Sequence, residues 1–433
     1  MKPPRHSRGG FFQSFTSSQQ PLMTCSILSI GDELLIGQVV NTNASWLGDQ
    51  LTALGVAVVA INTIGDGRET IAQEIQRLAA TSDLLMISGG LGPTHDDLTR
   101  EAICDLLGCG LRVDEDQLRR IEQRFAERGL QLNERSIRQA SVPEACRTLV
   151  NNYGSAPGLA FTIGSCRAYA LPGVPSELKG IFTEEITPEI ASEARAIDRQ
   201  TFLIFGPAES ALADSLQGLN ALLGNGVSLA YLPSFGGIRL RAMRNGSGAD
   251  TRQRFQQLVE GIATLAAKWI VSDRDETMAE AVGRLLAERG LTLSVAESCT
   301  GGTVGMMLTE APGSSSYFLG GIISYANSLK REMLGVAESD LREHGAVSQQ
   351  VAVAMARGVR ERTGSDLAVA VTGIAGPDGG SAEKPVGTVW IAAVSSGQTM
   401  VERFQLGRER NVVRTRAANI ALNLVRRLVV EGG

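Results

Sequence analysis

The chain has 433 residues, too many for one ordinary domain, so two or three are expected. Glycine is abundant at 49 residues, aromatic content is low at 5%, and the formal net charge is −5. This balance excludes a nucleic-acid footprint spread over the whole chain and a disordered polar chain, and it fits an α/β protein with many ligand loops.

No apolar run in the sequence is long enough to span a membrane as a helix. The six cysteines (Cys25, Cys104, Cys109, Cys146, Cys166 and Cys299) form no CxxC pair, and the only histidines are His6, His95 and His344. A structural zinc site is therefore not expected, and a reducing cytoplasm is the natural setting. Residues 1–22 are basic and rich in Ser and Gln, and they lack the apolar core of a secretion signal. A disordered tail is expected there, with Met23 a second candidate for the start of translation.

Ser26 to Ile30 reads as a strand, Asn41 to Leu54 as a helix, Val56 to Ile64 as a strand, Thr70 to Ala79 as a helix and Asp83 to Ser88 as a third strand. This alternation predicts a parallel three-layer α/β domain. The third strand runs into Gly89-Gly90-Leu91-Gly92-Pro93-Thr94-His95-Asp96-Asp97 just before a helix over 98–107. Backbone N–H groups of such a loop can cradle a phosphate, and Asp96 or Asp97 can hold a divalent cation. Equally, either Asp can simply cap the helix. Asp32, Glu33 and Asp66 are further strand-end carboxylates able to converge on the same place or to serve as turn residues. A second turn loop, Pro172 to Glu177, follows the strand Ala168 to Leu171. Residues 178–198 read as a charged helical bridge.

From 199 to 271 the pattern is strand, helix, strand, strand, helix, a small α+β unit with a modest basic cluster at Arg239, Arg241 and Arg244. Ser272 to Glu276 is a polar connector, and a helix over 278–289 leads into the strand Leu291 to Val295. There follows Ala296-Glu297-Ser298-Cys299-Thr300-Gly301-Gly302, with a helix beginning at Val304. Ser298 thus sits where a strand turns into a helix, a place whose free N–H groups suit an oxyanion or a phosphate. A plain N-cap role for a serine there is the competing reading. Ser324, Tyr325 and Lys330 lie at a second strand-to-helix junction, and Thr372 tops a third strand that ends in the loop Gly373 to Gly380. Three polar strand ends predict a site at one edge of an open α/β sheet.

AESCTGG, the Ser324–Lys330 segment, HGAVSQQV, TGIAGPDGG and KPVGTVW resemble the C-terminal domain of the CinA family, nicotinamide-nucleotide amidohydrolases. GDELLIGQVVNTN, GGLGPTHDDLTRE, NNYGSAPG and LPGVPSEL resemble the molybdopterin-binding-like (MoCF) domain at the CinA N-terminus, with Leu91 where molybdenum-cofactor enzymes usually carry threonine. The middle stretch is similar to the family's KH-type domain, although the GxxG nucleic-acid clamp is not apparent. The resemblance implies a fold of three parts: a three-layer α/β MoCF-like domain over 23–180, a small α+β KH-type domain with connectors over 181–275, and an α/β CinA-type domain over 276–433.

By this resemblance the C-terminal domain hydrolyses nicotinamide mononucleotide without a cofactor. Ser298 is then the nucleophile, Lys330 the base, and Tyr325 and Thr372 the groups that position or polarise the amide. Cys299 is the rival nucleophile, and a surface helix position is the competing reading of Lys330. Substrate contacts are expected from Thr300, Gly301, Gly302, Gly373, Gly376 and Arg414, the last in a basic stretch with Arg408 and Arg410 that reads equally as a solvated helix face. The N-terminal domain is implied to be a divalent-metal ADP-ribose pyrophosphatase, with Gly89, Gly90, Gly92 and Thr94 as its phosphate loop and Asp97 and Asp96 on the metal. The partners implied are these nucleotides and a second copy in a homodimer, not nucleic acid or a membrane. A non-catalytic nucleotide-sensing or competence-related interaction protein is a rival reading, and a molybdopterin-binding protein is another.

Overall fold

The computed structural model describes residues 23–431 apart from 128, 132–136, 194–196 and 247. The tail expected over 1–22 lies outside the described residues. The chain divides into two compact units, with the division between Asp198 and Arg199. Among the described residues no helix is long and apolar enough to cross a membrane.

The first unit holds a six-stranded sheet in the order Ala57–Ile64, Thr24–Ile30, Leu84–Ser88, Cys166–Leu171, Gly158–Ile163, Arg147–Leu149. Its first four strands are parallel and its last two antiparallel, so the wholly parallel sheet expected from the alternation becomes mixed. The added strands form because Ile163-Gly164-Ser165-Cys166 makes a tight hairpin turn, with Gly164 at φ +59. Side chains alternate between two cores. Leu28, Leu85 and Ile87 face the helices Arg68–Ala79 and Thr99–Leu107, while Ile27, Leu84 and Met86 face the helix Thr42–Ala53 on the other side. The stretch expected as a bridge also packs there. Ile181, Phe182, Ile186 and Ile190 are buried in the second core, so the boundary expected at 180 moves to 198.

The second unit carries two sheets. A four-stranded one runs in the order Val227–Ser234, Gly237–Arg244, Asp198–Ile204, Ile270–Ser272, packed under the helix Ala249–Leu265. The first helix expected in this unit is α-helical over Glu209–Ser215 and continues as a 3-10 turn, Gln217–Leu222. The other sheet runs Phe318–Ile323, Leu293–Glu297, Leu367–Gly373, Thr388–Val394, Thr399–Gln405. Its first three strands are parallel and its last two antiparallel. The helices Met278–Arg289 and Arg410–Glu431 cover one face through Val295, Val369 and Val371; the helix Gln349–Thr363 covers the other through Ala296, Ala368 and Ala370.

Candidate functional site

Strand register builds the C-terminal site. Glu297 pairs with Ile323 on one side and with Val371 on the other. The next residues, Ser298, Ser324 and Thr372, therefore emerge at the same level on one edge of the sheet. Two backbone bonds lock that edge: the Ser298 N–H donates to the Val371 carbonyl at 2.9 Å, and the Ser324 N–H to the Glu297 carbonyl at 2.8 Å. These are the carboxyl ends of parallel strands, where open α/β sheets place their ligands.

Lys330 lies in the first turn of the helix Asn327–Leu334, and its side chain folds back to this edge. It is 1% exposed, so the surface-helix reading fails. Its Nζ lies 3.0 Å from Ser298 Oγ, 2.7 Å from the Ser324 carbonyl and 3.3 Å from the Tyr325 carbonyl. Burial holds the amine below the ordinary lysine value. A neutral amine has two N–H donors and one lone pair. The two carbonyls can take the donors, which leaves the lone pair facing the Ser298 hydroxyl. Cys299 turns away, 5% exposed within the apolar core, and burial pushes its thiol up to about 12. A thiol held protonated in the core is a poor nucleophile.

Ser298 is not the cap of the following helix. Glu297, 1% exposed, accepts from the N–H groups of Gly302 at 2.9 Å, Val304 at 3.2 Å and Gly305 at 2.9 Å, and so closes the start of Thr303–Glu310. The expectation of free N–H groups at this helix start is corrected: a carboxylate of the chain already holds them. Gly301 and Gly302, at φ +60 and +97, let the turn wrap around that carboxylate. The Thr300 N–H makes no hydrogen bond among the described residues, although Thr300 is fully buried. Glu297→Gln replaces one accepting oxygen with a donor facing an N–H. It is expected to cost about 2 kcal/mol, read as a drop in the unfolding midpoint. An unchanged midpoint would show that the cap is dispensable.

The remaining expected residues divide into supports and open positions. Thr372 is buried, and its hydroxyl donates to the Ala346 carbonyl at 2.8 Å, tying down the loop before Gln349–Thr363. Arg414 is spent on the turn after Ser298: Nε and an Nη donate to the Thr300 carbonyl at 3.1 and 3.0 Å, and the same Nη to Thr303 Oγ1 at 3.1 Å. Tyr325 is 61% exposed at the rim, and its hydroxyl accepts from Arg410 at 3.1 Å. Arg410 also donates to the Gly376 carbonyl at 3.0 Å, which joins the loop after Gly373 to Tyr325. Sequence reasoning left Arg410 among the basic stretch and gave Glu297 and Ser324 no role. The hydroxyls of Ser324 and Thr300 are both buried and without a hydrogen-bond partner. Such groups beside Ser298 and Lys330 are unmet donors for a ligand or water. His344 takes no part; its carbonyl accepts from Lys384 at 2.6 Å.

The N-terminal unit has a cavity of about 490 Å³ lined by Gly89 to Pro93, Asp96, Asp97, Asp66, Asn43 and Pro172 to Pro175. A Cβ at Gly90 would lie 2.1 Å from Thr99 Oγ1, so only glycine allows this closure, in which Thr99 donates to the Gly89 carbonyl at 3.0 Å. Neither aspartate caps the helix. Asp97 accepts from the Thr94 N–H at 2.9 Å and from the Thr94 hydroxyl, while the Asp96 side chain is 61% exposed. Burial raises the Asp66 carboxyl, and the charges of Asp32, Glu33 and Asp96 raise it further, against the Asp32 N–H that it accepts at 3.0 Å. Among the described residues no three carboxylate, thiol or imidazole groups form a metal cage.

Three family models match the chain: the probable molybdopterin binding domain over residues 26–192, the damage-inducible protein CinA KH domain over 199–271 and the CinA C-terminal domain over 275–429. A CinA-like protein of Salinibacter ruber is 41% identical over 408 residues, covering 94% of this chain and 99% of that protein. A CinA-like protein of Citrifermentans bemidjiense is 43% identical over 410 residues, covering 94% and 98%. Among solved structures, the competence/damage inducible protein CihA of Agrobacterium tumefaciens is 40% identical, covering 36% of this chain and 99% of its own, with a TM-score of 0.34. With a MoCF-like N-terminal domain, a KH-like middle domain and a CinA C-terminal domain in this order, the chain belongs to the CinA family.

Proposed function

We propose that the Ser298–Lys330 centre hydrolyses the carboxamide of nicotinamide mononucleotide to nicotinate mononucleotide and ammonia. The observation that carries this reading is the buried Lys330 amine 3.0 Å from the Ser298 hydroxyl. Lys330 takes the hydroxyl proton as Ser298 Oγ bonds to the carboxamide carbon. The tetrahedral intermediate then expels ammonia, which leaves with the proton returned by Lys330, and an ester to Ser298 remains. Water, deprotonated by the same amine, adds to the ester carbon and releases the acid and the serine. The Thr300 N–H, without a partner among the described residues, is the candidate donor to the oxyanion. Exposed Arg410 uses two of its five donors within the chain and is the candidate for the nucleotide phosphate. The test is ammonia release by the full chain given nicotinamide mononucleotide, with free nicotinamide in parallel. Release from the nucleotide alone is expected. Nucleotide binding with no release would favour the nucleotide-sensing reading.

The N-terminal cavity supports a second activity, metal-dependent cleavage of ADP-ribose. The supporting observation is the glycine loop opposite Asp66, whose carboxyl is held above its ordinary value by burial and by the neighbouring carboxylates. A divalent cation there would be shared between Asp96 or Asp97 and the diphosphate, and it would offset the diphosphate charge. EDTA is expected to abolish ADP-ribose cleavage and leave ammonia release unchanged. Asp97→Ala should also abolish the cleavage, because it removes a carboxylate and frees Thr94 of the loop. Cleavage that persists in Asp97→Ala would move the cation to Asp32 and Asp66.

A further inference from the structure

The second unit contains a cavity of about 550 Å³ between the four-stranded sheet and the helix Arg410–Glu431, remote in sequence from the strand-end motifs. Its walls include the rings of Phe205, Phe235 and Phe404 with Arg416. The two sheets meet here as parts of one core, for Leu203 is buried with Val425 and Leu428, and Phe205 packs against the same cluster. The hairpin tip between Val227–Ser234 and Gly237–Arg244 is seated on the helix. A Cβ at Gly236 would lie 3.2 Å from Asn419 Oδ1, and Asn419 is buried. This seating presents Phe235, 49% exposed, to the Arg416 guanidinium, which stands 6.0 Å from the ring centre.

The charges at this cavity are unevenly satisfied. Arg427 pairs with Glu402 at 2.5 Å and with Glu431 at 3.2 Å. Arg416 makes no ion pair or hydrogen bond among the described residues, and Glu209 on another wall makes none either. An exposed guanidinium with no partner among the described residues, beside an aromatic ring at a cavity of mixed polar and apolar lining, suits an anionic group carried on a flat ring. Glu209 adds an acceptor for hydroxyl or amino donors on the same ligand. The volume lies within the range of small-molecule pockets, about 300–1,000 Å³.

We propose that this cavity is a second ligand site of the unit, for a planar aromatic anion of mononucleotide size, gripped by Phe235 and Arg416. The site is separate from the Ser298 edge, and its test does not depend on the reaction there. The full chain is titrated with anilinonaphthalene sulfonate, a fluorescent flat-ring anion, and the bound probe is then challenged with adenosine monophosphate or inorganic phosphate. A saturable phase is expected, with affinity reduced about tenfold or more by Phe235→Ala and by Arg416→Glu, and reduced less by Arg416→Lys, which keeps the charge but not the planar fork. Adenosine monophosphate should displace this phase, and inorganic phosphate should not. Unchanged circular dichroism and unfolding midpoints in the variants show that the fold survives. The proposal is overturned by a saturable phase indifferent to both variants, by the absence of such a phase, or by equal displacement with inorganic phosphate.

Discussion

Ser298→Ala is expected to lower the rate of ammonia release from nicotinamide mononucleotide by about three orders of magnitude or more, while Cys299→Ala keeps most of it. The difference follows from where two adjacent side chains go. Ser298 Oγ stands at the sheet edge within reach of Lys330 Nζ, whereas Cys299 is packed among Val304, Val371 and Val413 with its thiol pushed up to about 12. What survives in Ser298→Ala is substrate binding and oxyanion stabilisation, which still lower the barrier without a covalent route. Cys299→Ala is expected to lose some stability, because it leaves a small cavity in the core. Single-turnover rates of the two variants side by side decide between the nucleophiles. A fast Ser298→Ala enzyme beside a dead Cys299→Ala enzyme would make this a cysteine amidase. Iodoacetamide should leave the native enzyme active, since neither its nucleophile nor its buried thiol is open to alkylation.

The strand-end placement of Ser298, Ser324 and Thr372 was legible because each follows a β-branched or apolar run and precedes a loop, and parallel strands align such ends. The supports of the site were not legible, because they join segments far apart in the chain. Arg414 reaches Thr300 across 114 residues, and Thr372 reaches Ala346 across 26. No local pattern says whether a helix arginine or a strand-end threonine will meet substrate or a backbone carbonyl. Glu297 is a different case. A carboxylate before a glycine-rich turn is the right chemistry to close a helix start, but Ser298 is the commoner capping residue and drew the reading. In the N-terminal unit the charged stretch after 178 hid its apolar positions, though Ile186 and Ile190 are spaced for one helix face. Neighbouring acidic residues made that stretch read as a connector rather than a layer.

Lys330→Ala is expected to be nearly as damaging as Ser298→Ala, and the double variant should be little worse than either, because the two groups act in one step. Lys330→Arg should not restore activity, since a guanidinium keeps its proton at working pH and is too bulky for a site that is 1% exposed. The native enzyme should gain rate as pH rises and Lys330 loses its proton, levelling off below the ordinary lysine value of 10.5. The same displacement acts on stability. Between the lowered value in the folded chain and 10.5 in the unfolded chain, the unfolded chain binds the extra proton, so stability rises with pH through that window and falls as pH drops through it. Lys330→Met removes the titration and keeps much of the volume. The stability of the native chain relative to Lys330→Met should therefore improve as pH is raised across the window, read from denaturant midpoints at several pH values. A constant difference, together with a rate that ignores pH, would mean that the amine stays charged beside Ser298. The proton acceptor would then have to be sought among the other groups of the sheet edge.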